Sequence, residues 1–98
     1  MRGMKEAIWQ ELVIAESTDG IVVEGNHYFP PADVKTEYLV LNNKETICPW
    51  KGKARYYDLI AQRTSVKNAA WTYPSPKEKA KQIKEHIAFA EPIEVREK

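Results

Sequence analysis

The residues best suited to chemistry lie in one short run, Cys48-Pro49-Trp50-Lys51-Gly52-Lys53. A thiol attacks as its thiolate, and nearby positive charge lowers its pKa. Lysines at 51 and 53 flank Cys48, which makes it a candidate nucleophile, with His27 the candidate base if the fold brings the two together. The same cysteine equally suits a small apolar filler of a core. In an extended chain Lys51, Lys53 and Arg55 fall at every second position and share one face. Such a row would receive a phosphate or carboxylate, with Arg55 able to bind it bidentately, or would be a solvated, lysine-protected edge. Gly52 lets a ligand or a second backbone come close. The row is not a P-loop, because the glycine spacing and the Lys-Ser/Thr pair are absent. Glu24, His27, Tyr28, Trp50, Tyr56, Trp71 and Tyr73 have the composition of a small-ligand wall, aromatic with a few polar groups. Trp9, Phe29, Tyr38 and Phe89 suit core packing instead. Glu24 and His27 are too dispersed a pair to make a metal centre, and none is expected.

Elements must place these residues. Residues 7–17 read as a strand, Thr18-Asp19-Gly20 as an Asp-Gly turn, and Ile21 to Gly25 as its partner, which predicts a hairpin over 7–25. The segment Asn26 to Pro31 reads as an ordered loop. Val34, Tyr38 and Leu41 recur at i, i+4 and i+7, which predicts a short helix over 31–41 ended by Asn42-Asn43. Thr46 to Trp50 reads as extended, because a residue before proline avoids the helical region. Lys53 to Ile60 reads as a strand, 62–68 as a polar connection and Ala69 to Tyr73 as a short strand. Ser75-Pro76-Lys77-Glu78 has the form of a capping box and predicts a second helix burying Ala80, Ile83 and Ile87. Ala88 to Val95 supplies a last strand or two, broken at Pro92. The order predicts an α+β fold, mainly β, with antiparallel sheets and two short helices.

The 98 residues suit a single domain over 1–98. They carry 15 basic and 14 acidic side chains, a net charge of +1 that argues against sequence-specific nucleic-acid binding. One cysteine allows neither an intrachain disulfide nor a cysteine-rich zinc site. There is no apolar run long enough to span a bilayer and no signal-type leader, so a cytoplasmic location without a membrane partner is expected. The charge is uneven. Residues 44–67 hold 6 basic and 2 acidic side chains, a balance of +4, within the stretch from Tyr28 to Tyr73 that carries eight of the ten aromatics.

Three blocks in order, Val22-Val23-Glu24-Gly25-Asn26-His27-Tyr28-Phe29-Pro30-Pro31, Thr46-Ile47-Cys48-Pro49-Trp50-Lys51-Gly52 and Ala69-Ala70-Trp71-Thr72-Tyr73-Pro74, resemble the family known as domain of unknown function 427, which also carries a nucleotidyltransferase label. Ala15-Glu16-Ser17 fits as well, and the likeness runs from about Ala7 to Val95. The resemblance implies a small, mostly β domain with a folded, tent-like pair of sheets similar to the Mss4-like group. That group often holds zinc through two cysteine pairs; Cys48 stands alone, so zinc is not implied here. The motif positions are Glu24, Gly25, Asn26, His27, Tyr28, Cys48, Pro49, Trp50, Lys51, Gly52, Trp71, Tyr73 and Pro74.

The function expected is binding of a small anionic metabolite or nucleotide-like ligand. Tyr28, Trp50, Trp71 and Tyr73 would wall the cleft, with Glu24, Asn26, Lys51, Gly52 and Lys53 also at the ligand and Lys51, Lys53 and His27 receiving its charge. One alternative is an enzyme with Cys48 as nucleophile and His27 as base. Another is a structural or protein-interaction domain with no ligand. No cofactor is specified, and a homo-oligomer is left open.

Overall fold

The computed structural model describes residues 3–98. Nine strands form it: β1 (Lys5–Trp9), β2 (Leu12–Ser17), β3 (Ile21–Val23), β4 (Asn26–Tyr28), β5 (Leu39–Cys48), β6 (Gly52–Ala61), β7 (Thr64–Thr72), β8 (Ile87–Phe89) and β9 (Glu94–Glu97). They make three antiparallel sheets, ordered β2-β1-β9, β3-β4 and β5-β6-β7-β8. The mainly β, antiparallel reading therefore holds. The two helices do not form.

Turn chemistry explains the largest departures. Gln10-Glu11, Glu24-Gly25 and Gln62-Arg63 each place two successive residues at positive φ, between 49° and 81°. Each is a two-residue connection, closing the pairs Trp9↔Leu12, Val23↔Asn26 and Ala61↔Thr64. That is the type I′ geometry, whose twist suits a right-handed hairpin. Only the second carries a glycine, so the other two send no turn signal. The predicted strand 7–17 is therefore a hairpin, the hairpin expected over 7–25 is replaced by one over 21–28, and the polar connection at 62–68 is most of β7.

The predicted helices fail because backbone partners outside them are available. Over 31–41 the chain makes only two 3₁₀ turns, Pro31–Asp33 and Thr36–Tyr38. Between them the Lys35 amide donates to the Ile14 carbonyl at 2.8 Å and Val34 bridges Ala15, so the segment is tied to the edge of β2. Leu39 and Leu41, at the start of β5, then pair with Leu59 and Tyr57 of β6. Beyond Ser75 only a 3₁₀ segment forms, Glu78–Ile83, broken at Ala80. Lys77 rather than Ser75 stands at its N-cap, with no side-chain cap bond. Ala80, Ile83 and Ile87 are buried as expected, although Ile87 lies in β8.

The four-stranded sheet has an apolar cluster on each face. Tyr57 and Ala70 are cross-strand partners, and with Leu59 and Phe89 they pack toward the β1-β2-β9 sheet. Tyr56 and Trp71 are the neighbouring pair and point the other way, joining Tyr28, Tyr73, Ala54 and Ile83. Two irregularities face β6: residues 42–44 of β5, between Leu41 and Glu45, lie opposite Tyr56, and residues 67–69 of β7 lie opposite Asp58. The Asp58 carboxylate accepts the Asn42 side-chain amide at 2.7 Å and the Asn68 backbone amide at 2.9 Å. The same Asn42 amide donates to Asn68 Oδ1 at 2.8 Å, so one asparagine from each irregular stretch is hydrogen-bonded to Asp58 and to the other.

A left-handed residue without glycine or asparagine costs about 1–2 kcal/mol. Replacing Gln62-Arg63 by Asn-Gly, the favoured type I′ pair, is expected to raise the urea midpoint, with a gain of about 1 kcal/mol and an unchanged m-value. A lower midpoint would show that the Gln62 or Arg63 side chain contributes more than the backbone strain costs.

Candidate functional site

The middle sequence block becomes the β5–β6 hairpin. Its turn is Pro49-Trp50-Lys51, closed by the pair Cys48↔Gly52. Gly52 has φ +113°, a conformation other residues rarely adopt. This single angle breaks the alternation. Lys51, expected on one face with Lys53 and Arg55, instead folds onto the Tyr56–Trp71 face. Its ammonium lies 5.1 Å from the Trp50 ring centre and 5.6 Å from that of Tyr73. Its side chain is only 7% exposed.

A buried ammonium needs a counter-charge. Glu24, at the tip of the β3–β4 hairpin, supplies it: Lys51 Nζ donates to Glu24 Oε1. Trp50 Nε1 donates to the other carboxylate oxygen at 3.2 Å. These two bonds, Lys51 foremost, hold the Glu24 carboxyl below its ordinary pKa. Burial pulls the Lys51 ammonium toward neutrality, but Glu24, Tyr73 and Tyr28 outweigh it and its pKa is raised. Tyr28 ends β4, where Trp71 Nε1 donates to its hydroxyl at 3.1 Å. Burial raises the pKa of both Tyr28 and Tyr73. Tyr56 continues the wall, its hydroxyl 3.0 Å from Thr46 Oγ1.

Cys48 sits half-buried at the edge of this cluster. Burial pushes its thiol up, yet the backbone amides of Lys51 and Trp50 and the Lys51 charge prevail, and its pKa is lowered. The turn therefore favours a thiolate. Lys77 fixes the turn from outside: its amide donates to the Lys51 carbonyl at 2.8 Å and its ammonium to the Pro49 carbonyl at 2.6 Å.

The structure thus brings together Glu24, Tyr28, Cys48, Trp50, Lys51, Trp71 and Tyr73. It separates three other expected residues. His27 alternates with Tyr28 along β4 and packs on Phe29, ring centres 4.6 Å apart. A Cβ on Gly20 would overlap its ring, and neither ring nitrogen has a hydrogen-bond partner. His27 is therefore not hydrogen-bonded to Cys48, and the expected nucleophile–base contact does not form. Asn26 and His27 line a different cavity, of about 410 Å³, with Lys5 and Phe89. Lys53 lies with Arg55 on the opposite face of β6, both against Glu45. Sequence reasoning missed Lys77 and Glu45. No spacing pointed to Lys77. Glu45 was accessible, since a hairpin centred on residue 50 pairs it with Arg55. Among the described residues no group of three His, Cys, Asp or Glu is placed to hold a metal, and no helix is long and apolar enough to cross a membrane.

These features define a small, mainly β domain with an ionic and aromatic cluster at one hairpin tip. The chain matches the family described as a domain of unknown function (DUF427) over residues 3–97, and it belongs to that family. Comparison with curated proteins gives no match.

Two outcomes follow from the electrostatics. Alkylation of Cys48 by iodoacetamide, followed against pH, should show a midpoint below that of a free cysteine peptide under the same conditions, moving upward in Lys51→Gln; a midpoint at or above the peptide's would mean burial dominates. His27 has its pKa lowered from 6.5, by burial first and by Lys5 second. The native state therefore prefers the neutral ring, so its contribution is complete above 6.5 and is lost as pH falls through the lower folded value. The urea midpoint should fall on acidification below pH 6.5 and fall less steeply in His27→Leu, a variant that holds no proton. Equal slopes in the two proteins would remove His27 from the acid response.

Proposed function

We propose that this domain binds a small anionic, nucleotide-like ligand, with Lys51 receiving the anion and Trp50 offering a ring face. The observation that carries this reading is the Glu24–Lys51 pair. Lys51 is a buried cation whose partner carboxylate comes from an exposed hairpin tip. A ligand phosphate or carboxylate would take the place that Glu24 fills, adding the charge-assisted hydrogen bonds such groups make. Trp50 is 38% exposed, which leaves indole surface for a base or other flat ring. Tyr28, Trp71 and Tyr73 hold the rear of the cluster through their own contacts and contribute by fixing Lys51. The resemblance also implies a tent-like pair of sheets, and apolar clusters on opposite faces of one sheet support that finer reading.

A second reading is favoured by one observation, the lowered pKa of Cys48. In it Cys48 attacks as its thiolate, a form favoured by two turn amides and Lys51, without a histidine base.

Calorimetric titration with nucleoside 5′-monophosphates, and with ribose 5-phosphate to isolate the sugar phosphate, tests the first reading. Lys51→Gln is expected to weaken binding roughly tenfold or more, the worth of a charged hydrogen bond. Glu24→Gln removes the competing carboxylate and is expected to tighten it. Glu24→Gln weakening binding, or Lys51→Gln leaving every affinity intact, would refute the exchange of Glu24 for ligand.

A further inference from the structure

The face of β6 opposite Lys51 carries a separate arrangement of charge. Lys53 and Arg55 project from alternate positions of β6. Glu45 on β5 and Thr72 on β7 are both direct cross-strand partners of Arg55. Pro74 and Ser75, just beyond β7, close one side. Glu45, Lys53, Arg55, Pro74 and Ser75 line a cleft of about 340 Å³, within the range that holds small ligands.

Its polar groups are incompletely matched. Glu45 lies 3.7 Å from Lys53 Nζ and 3.4 Å from Arg55 Nε, one carboxylate against two cations. Arg55 Nε is buried, and its contact with Glu45 is an ion pair without an aligned hydrogen bond. Thr72, 4% exposed, has a buried hydroxyl with no partner either. Buried polar groups are nearly always satisfied, and each exception calls for an explanation. Of these two orphaned donors, Arg55 lines the cleft and Thr72 is its buried cross-strand neighbour, and the three charged groups of the lining leave one positive charge in excess.

We propose that this cleft is a binding site for an oxyanion of a small metabolite, and specifically for a monocarboxylate. Arg55 and Lys53 supply the charge, and the Ser75 hydroxyl donates from the rim. One negative charge neutralises the cleft, whereas a phosphate dianion would leave it negative beside Glu45. The site is distinct from the Lys51 cluster, because the sheet lies between them.

Amide NMR titration of the full chain at constant ionic strength tests this, with propionate in one arm and inorganic phosphate in the other. Propionate is expected to give saturable shifts at the amides of Lys53, Arg55 and Ser75. Arg55→Gln should weaken that binding by about tenfold, one charged contact. Arg55→Lys keeps the charge but loses the planar fork, and should fall between the two. Lys51→Gln, on the other face, should leave it unchanged. Dispersed spectra for each variant establish that it is folded, and Arg55→Lys serves if Arg55→Gln is not. Saturation by phosphate with no response to propionate would overturn the monocarboxylate assignment. Shifts that rise linearly without saturating, or that are equal in the wild-type and Arg55 variants, would overturn the site itself.

Discussion

A positively charged nitrogen held out of water constrains everything around it. Lys51 Nζ is in that position, and a lone buried ammonium would surrender its proton or unfold its surroundings. The sheet, the turn and the small hairpin can be understood as the means of keeping it charged. Glu24 reaches it only because the β3–β4 hairpin closes with its tip over the β5–β6 turn. Trp50 braces the carboxylate, Tyr73 and Trp50 face the ammonium with their rings, and Lys77 clamps the turn carbonyls from the far side. The lowered thiol pKa of Cys48 is a by-product of the same charge and the same turn amides.

How much of this was legible in the sequence depended on where its signal resided. The dense run Cys48 to Lys53 announced itself by composition, and it does form one tip of the molecule. The aromatics Tyr28, Trp71 and Tyr73, which recur in the same short blocks, do pack into one cluster, with the Trp50 ring reached through Lys51. The one-face row of Lys51, Lys53 and Arg55 was not correct, since strand alternation assumes that no residue turns left-handed and Gly52 does. His27 was assigned to Cys48 on chemistry alone, without the face of β4 that decides the matter.

The fold was harder to read at its turns than in its strands. Gln10-Glu11 and Gln62-Arg63 adopt a geometry that usually calls for Asn or Gly, so pattern alone ran one strand through a hairpin and dissolved another into a loop. The two missing helices had acceptable periodicity. They lost to longer-range backbone partners, Ile14 for Lys35 and Tyr73 for Glu85, which no local window contains.

β6 works as a wall shared by two rooms. Ala54 and Tyr56 furnish one side, Lys53 and Arg55 the other, and the four are consecutive in the chain. Slipping this strand by one residue would exchange the furnishings completely, placing two cations among the tyrosines and a tyrosine in the cleft. The tight turn at Pro49–Gly52 precedes those four residues, and the irregularities opposite Tyr56 and Asp58 close their far end; together they act as the pins that keep the strand in phase. Selection on either surface of this domain therefore acts on the same few backbone angles.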